Sequence, residues 1–487
     1  MGPARRAPIS PAPRTRRPGG RPRAGGVGVS THHQAYVFAL EPTPEQAQAL
    51  ASHCGAARFA YNWGLARVKT NLAQRAAERT YGLAEAELTP ALDRSAYGLR
   101  KQWNAAKHAV APWWGANSKE AYASGLANLS VALKNWNASR TGKRAGRKAG
   151  FPRFRSKRSR RSFRITTGSF GLDGAGNRHV KLPRIGRVRT GESTRKLARH
   201  LHRGSARILA ATVSHRRGRW QVSFTVEKTT PAPAPATRGG AVGVDLGITH
   251  LAVLSTGETV ANPKHLEKVQ RKLRRAQRRV ARRRGPDRRT GQTPSGRWRK
   301  ARAAADRLHT KVVNARRDHL HKLTTRLVAD FDTIVIEDLN VAGMVANRRL
   351  ARAVADVGMG EVRRQLEYKA AWSGRRLVVA ERWFPSSKTC NDCGAVKAKL
   401  RLSQRTFACQ VCGAVADRDA NAARNLAGLA EAASSPSCGA RINEPAGNPR
   451  KPSLAGDGYR HGKTPPARAG STPRRKATAQ GTFSHVS

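Results

Sequence analysis

Acidic side chains are scarce in this chain. Thirty Asp and Glu stand against 93 Lys and Arg, a formal net charge of +63 over 487 residues. Such a field strains a compact fold by self-repulsion unless a polyanion neutralises it. Long apolar runs are missing as well. No stretch reaches the roughly 18 residues of a membrane span, and no basic amphipathic helix carries a Trp/Leu face. Nucleic acid, not a membrane surface, is therefore the expected polyanion. Cysteine is sparse, six residues in all, which argues against the disulfide framework of a secreted domain. The basic N-terminus, ARRAPISPAPRTRRPGGRPRAGG, lacks the apolar core of a secretory signal, so cytoplasmic residence is expected.

Four of the cysteines are concentrated. Cys390/Cys393 and Cys409/Cys412 form two Cys-x-x-Cys pairs within 384–426. Four thiolates at that spacing suit one tetrahedral Zn²⁺ of the zinc-ribbon type, with every coordination position closed and hence a structural role. A Gly after each pair, Gly394 and Gly413, lets the backbone turn tightly around the sulfurs. Cys54 and Cys438 have no partner motif and read as ordinary thiols.

Residues 1–33 and 431–487 are rich in Pro, Gly, Ser and Arg and are expected to be disordered basic tails. Between them, 34–229 reads as strands with a helical lobe inserted at about 42–140. QAYVFAL (34–40) alternates like a strand, and Thr43-Pro44 caps the helix that follows. Tyr61, Trp63, Trp103, Trp113, Trp114, Tyr122 and Trp136 cluster in this lobe, either as base-stacking surfaces or as the core of a bundle. TGKRAGRKAGFPRFRSKRSRRSFR (141–164) interleaves guanidinium groups with Phe151, Phe154 and Phe163. Its Arg144, Arg147, Lys148, Arg153, Arg155, Lys157 and Arg158 are candidate nucleic-acid contacts. A hairpin over 205–228 turns at Arg-Arg-Gly, and the linker 230–240 closes this half.

The second half, 241–430, carries the chemistry. AVGVDLG ends a strand in Asp245, two strands follow around Thr-Gly-Glu, and a basic helical pair spans about 264–328. DTIVIEDLN ends a further strand in Glu337; period-2 parity puts Glu337 on the face of Val335 and turns Asp338 away. A helix near 360–374, the strand 375–383, the ribbon (384–416) and a helix starting near Asp419 complete the order. Strands first, then alternating helix and strand, is the RNase-H-like arrangement, with three carboxylates converging. They would repel unless cations bind between them, and two Mg²⁺ about 3.5–4 Å apart would both relieve that and activate water against a phosphodiester.

GVDLGI, VIEDLN, FPSSKTC-x-x-CG and DRDANAARN together resemble the TnpB family, the transposon-encoded OrfB proteins related to type V CRISPR effector nucleases. The resemblance spans roughly 34–430. It implies a mixed fold, α/β with all-β and helical parts: a RuvC nuclease domain with an inserted zinc ribbon, preceded by a wedge β-barrel and a helical recognition lobe. It also implies an RNA-guided DNA endonuclease. The partners would be a guide RNA from the element's end and a double-stranded target beside a short flanking motif, with base pairing reading the sequence. The family's catalytic carboxylates fall on Asp245, Glu337 and Asp419. Asp419 is preferred over Asp417 because the family's acid stands two before the Asn, here Asn421. The Arg-rich insertion near 282–300, the N-terminal extension and the C-terminal tail depart from the family pattern.

Overall fold

A computed structural model describes residues 30–432 and 441–443, apart from positions 145, 175, 232–233, 288 and 402. The first strand, β1 (Ser30–Glu41), begins four residues inside the stretch expected as a tail. Helices α1 (Pro44–Thr80), α2 (Ala96–Val110) and α3 (Lys119–Arg140) follow it. Strands β2 (Arg161–Ile165), β3 (Gly171–Leu172), β4 (His179–Leu182) and β5 (Gly186–Thr190) come next. A short helix α4 (Arg195–His202) precedes the long pair β6 (Ala206–Arg216) and β7 (Arg219–Thr230). Local chemistry sets these boundaries. Thr43 and Gln46 close a reciprocal capping box on α1, with Pro44 in its first turn. Ser95 and Ser118 cap α2 and α3. Arg217 and Gly218 both take positive φ, 49° and 76°, the two-residue turn that matches the twist of a hairpin.

All seven strands pair antiparallel in the order β2-β6-β7-β1-β5-β4-β3. The sheet curls, so that Gly171 of β3 lies against Ile208 of β6, although the expected barrel is not closed by a ladder between its end strands. One core joins the lobe to the sheet: Leu50, Leu65, Leu126 and Leu129 from the helices meet Phe163, Val222 and Phe224 from the strands. The aromatic cluster of the lobe belongs mostly to that core. Tyr61, Trp103 and Tyr122 are buried, and Trp103 stacks on Tyr122 with ring centroids 5.0 Å apart. Trp113, 47 % exposed, is the exception.

The linker is docked rather than free: Thr237 N–H donates to Ala329 O, and Arg238 and Gly239 to Asp330 O. The second half then folds as β8 (Ala241–Asp245), β9 (His250–Leu254), β10 (Thr259–Ala261), α5 (His265–Ala281), α6 (Gly296–Asp330) and β11 (Thr333–Glu337). Three helices, α7 (Val341–Ala346), α8 (Ala351–Val357) and α9 (Met359–Trp372), lead to β12 (Arg376–Ala380). The ribbon hairpin β13 (Thr406–Ala408) and β14 (Val415–Asp417) precedes α10 (Arg418–Ala432). A last strand, β15 (Arg441–Asn443), pairs with β12 inside the segment expected as a C-terminal tail. The rest of both expected tails, and Cys438, lie outside the described residues.

The second sheet runs β10-β9-β8-β11-β12-β15, with β8, β11 and β12 parallel and the others antiparallel. Being covered on both faces, its parallel strands are apolar throughout, as buried parallel strands must be. Ile334, Ile336, Leu377 and Val379 face Leu320, Leu323 and Leu327 of α6 and Val362 and Leu366 of α9. Val335 and Val378 face Leu426 and Ala430 of α10. Among the described residues no helix is long and apolar enough to cross a membrane.

Candidate active site

The parallel register brings two carboxylates together. Ile336 lies opposite Val244, so Asp245 and Glu337 leave adjacent strands side by side, about 4.8 Å being the usual strand spacing. They stand at the carboxyl ends of parallel strands, where open α/β sheets bind ligands. A third carboxylate arrives on α10 because of Gly243. A Cβ there would sit 1.9 Å from Ala423 O and 2.6 Å from Ala427 N. The helix backbone thus touches β8, and its first turn hangs over the strand ends.

Within that turn the two aspartates separate by task. Asp417 caps the helix, its Oδ1 accepting from the N–H of Asp419 at 3.0 Å and of Ala420 at 2.9 Å. Asp419 instead is held from the side by Arg418, at 3.0 and 3.1 Å, and by Arg405 at 3.5 Å. Burial, then the fields of Glu337 and Asp419, push the Asp245 carboxyl up to about 7. Glu337 Oε1 accepts a 2.5 Å hydrogen bond from the buried Ser386 hydroxyl. Asp338 faces the other way, as parity requires, paired with Arg363 and, at 2.7 Å, with Arg382. Against the burial that opposes them, these guanidinium groups hold its carboxyl below the usual range.

Three oxygen-donor side chains, one of them a buried carboxyl that holds its proton more tightly than usual, suit a hard divalent cation by donor chemistry. The set is loose, however. Among the described residues, the His/Cys/Asp/Glu group with ligand atoms within 4.8 Å of one another is the four cysteines.

Those sulfurs are gathered as a metal would require. Cys390 Sγ lies 3.7 Å from Cys412 Sγ, and Cys393 Sγ 3.6 Å from Cys409 Sγ. A tetrahedron with Zn–S near 2.3 Å has edges of about 3.8 Å, whereas a disulfide needs about 2.05 Å. Gly394 and Gly413 take φ of 74° and 75°, and each knuckle closes with Cys390 N–H donating to Ala395 O and Cys409 N–H to Ala414 O. Residues that fit zinc are therefore in place. Cys54, by contrast, is a core thiol that burial pushes up to about 12.

Two asparagines one turn apart on α10 bind the ribbon to the carboxylate site. Asn421 accepts from Asn391 N–H at 3.0 Å and donates to Thr389 O at 2.7 Å. Asn425 donates to Ser386 O at 2.8 Å and Thr389 O at 2.7 Å. Ser386, Asn421, Asn425 and Gly243 were not singled out as site residues from sequence. The i, i+4 spacing of the asparagines is the one signal that could have found the pair.

The basic segment divides differently from expectation. Arg144, Arg147, Lys148, Arg153, Lys157 and Arg158 are exposed and open to phosphate. Arg155 is not: its guanidinium lies 3.7 Å from the centre of the Tyr61 ring, and its backbone pairs with Asn62 through both N–H and C=O. It pins the segment to α1. Of the phenylalanines, Phe163 is buried, Phe151 packs on Trp136 and only Phe154 is largely exposed.

Known proteins resemble this chain over most of its length. Residues 221–348 match the OrfB_IS605 family, described as "Probable transposase", and residues 360–426 the "Cas12f1-like, TNB domain". Residues 32–76 match a "Helix-turn-helix domain", although here they form β1 and part of one unbroken helix, α1. "Putative RNA-guided DNA endonuclease Rv2885c" of Mycobacterium tuberculosis is 37 % identical, covering 91 % of this chain and 94 % of that one. A Streptomyces pristinaespiralis protein, also named "Putative RNA-guided DNA endonuclease", is 36 % identical over 82 % of this chain and 90 % of its own. InsQ of Escherichia coli K12, a third with that description, is 31 % identical over 81 % and 91 %. A solved Cas12f1-sgRNA-target DNA complex aligns at a TM-score of 0.41 and 13 % identity, covering 82 % of this chain and 99 % of that one. With 31–37 % identity to curated relatives over at least 90 % of their length, the chain belongs to the TnpB family, the transposon-encoded OrfB proteins.

Proposed function

We propose that this chain is a transposon-encoded, RNA-guided DNA endonuclease that hydrolyses phosphodiester bonds beside a short flanking motif. The observation that carries the reading is the convergence of Asp245, Glu337 and Asp419 from β8, β11 and α10 at one sheet end. On this reading the second sheet is an RNase-H-like, RuvC-type core with the ribbon inserted between β12 and α10. The curled first sheet and its helices are the wedge and recognition lobe. Two Mg²⁺ held by the three carboxylates would supply the charge and the activated water for in-line hydrolysis. The chain's own groups prepare the site: Ser386 orients Glu337 by a hydrogen bond, Arg418 and Arg405 hold Asp419 until a cation competes, and burial raises the proton affinity of Asp245. Zinc in the ribbon would hold Thr389 and Asn391 where Asn421 and Asn425 can grip them.

The exposed basic side chains from Arg144 to Arg158, with the net charge of +63, support guide RNA and duplex DNA as the partners. The test is to purify the chain expressed with its flanking DNA and to sequence the RNA that accompanies it. A discrete RNA running from the element's end into neighbouring sequence, and Mg²⁺-dependent cutting of a matching duplex, are expected. Heterogeneous RNA together with a strand-transfer product would instead identify a direct transposase.

A further inference from the structure

We infer that Trp383 is a stacking platform for a base of the single-stranded DNA entering the carboxylate site, a reading that rests on the nuclease function proposed above. Its indole is 85 % exposed, and among the described residues no ring or cation covers it. Most exposed apolar side chains need no explanation; this one stands on a turn fixed on both sides. Phe384 N–H donates to Glu381 O at 3.0 Å, placing Arg382 and Trp383 at the two corners of a β-turn just beyond β12. Arg382 is anchored to Asp338 at 2.7 Å. Phe384 packs into the core beneath α10. Three residues after Trp383, Ser386 is buried and bonded to Glu337 at 2.5 Å.

Trp383 is therefore held outward between residues bonded to Asp338 and to Glu337, within about 11 Å of chain from Ser386. On the nuclease reading, an exposed aromatic face three residues from the side chain bonded to Glu337 is suited to a base of the bound strand. Every base offers a π-face, so stacking would seat a strand without reading its sequence. That suits a protein in which sequence is read by pairing. The neighbouring Arg382 is occupied by Asp338, which leaves the indole as the contact the turn offers. Duplex DNA hides its base faces, so the occupant is an unpaired strand.

The experiment uses the full chain carrying its own RNA, as wild type, Trp383→Ala and Trp383→Phe. Binding of a fluorescent single-stranded oligonucleotide of mixed sequence is measured without divalent cations across a salt series. Trp383→Ala should bind about tenfold more weakly at every salt concentration, because stacking on one aromatic contributes on that scale. Its slope of log affinity against log salt should stay that of wild type, because no phosphate contact is lost. Trp383→Phe should recover most of the affinity, and all three should melt at the same temperature. In Mg²⁺, cleavage by Trp383→Ala should fall by a similar factor, and an abasic site near the cut should slow wild type but not the alanine variant. Equal binding by wild type and Trp383→Ala, a reduced salt slope, or no rescue by Phe would overturn the inference. Because binding is read without cleavage, a chain that never cuts would sink the nuclease reading while leaving the role of Trp383 decided by the salt series.

Discussion

The two candidate metal sites are built by opposite strategies. The four cysteines lie within one short stretch, Cys390–Cys412, and two glycine-closed knuckles bring their sulfurs to 3.6 and 3.7 Å. The three carboxylates come from two strands and a helix spread between Asp245 and Asp419, and they are not gathered as tightly. Arginines hold one of them and a serine another, while burial raises the proton affinity of the third. A structural ion can be sited by local turns, since it need only stay. A catalytic set, as proposed for these carboxylates, has to be assembled by the whole fold, and it brings like charges together before its ligand arrives. Asn421 and Asn425 join the two sites.

Removing one carboxylate tests the reactive half of the contrast. Asp245→Ala should lower cleavage of a guide-matched duplex by about a thousandfold or more, since a group that holds the cations is lost from the transition state. RNA recovered with the protein should be unchanged in amount and sequence. Full-rate cleavage would break the assignment. Disabling the ribbon comes next in size. Cys390→Ser should reduce bound zinc well below one per chain and destabilise the ribbon, because metal binding in such sites is folding free energy. Cleavage should drop about 10–100-fold as the support of Asn421 and Asn425 loosens. Asn421→Ala sharpens the point: it should keep its zinc by metal analysis and still cut more slowly. A variant that loses zinc yet cuts at the wild-type rate would show the two sites to be independent.

How much of this was legible beforehand follows the same division. The cysteine pairs, their glycines and the parity of Glu337 against Asp338 are local patterns, and sequence spacing is enough to read them. So are Thr43-Pro44 and the Arg-Arg-Gly turn. The strands β2 to β5 are short and irregular in pattern, two to five residues each; β3, β4 and β5 pair locally, but the set is placed in the sheet only by β2 on the distant β6 and β5 on the distant β1. The aromatics of the helical lobe looked equally fit for stacking or for packing; what decided for Trp103 and Tyr122 was the arrival of α3 on α1 and the first sheet, a tertiary event. Arg155 looked like its basic neighbours until Tyr61 was placed beneath it. Trp383 carried no signal, because exposure is a property of the fold.

Gly243 shows the same limit and gives a smaller test. In sequence it is one glycine in AVGVD; in the fold it is the contact that lets α10 reach the strand ends. Gly243→Ala places a methyl group against helix backbone that cannot rotate away. Overpacking of this kind costs about 1–3 kcal/mol, read as a lowered denaturation midpoint. Cleavage should fall with it, while zinc content stays at one per chain. A wild-type midpoint would mean that α10 does not lie on β8 as described.

An effect of similar size is the most specific to the carboxylate site. The Asp245 carboxyl stands at about 7 in the folded chain against an ordinary value of 3.8. Between those values the native chain keeps a proton that the unfolded chain has lost. Protons therefore favour the native state, and stability falls as pH rises through that window, levelling off above about 7. For a shift of this size the loss between pH 5 and pH 8 is about 2–3 kcal/mol. Asp245→Asn cannot ionise, so in Mg²⁺-free buffer it should lack this component, and its advantage over wild type should widen from pH 5 to pH 8. Adding Mg²⁺ at pH 8 should stabilise wild type, which gains a bound ion in the native state, and shift the asparagine variant much less. The four cysteines are the same in both proteins, so any pH dependence of the ribbon cancels in the difference between them. A constant gap between the two proteins across pH would mean that Asp245 is ionised in the fold, and that its neighbours, not a proton, already balance its charge.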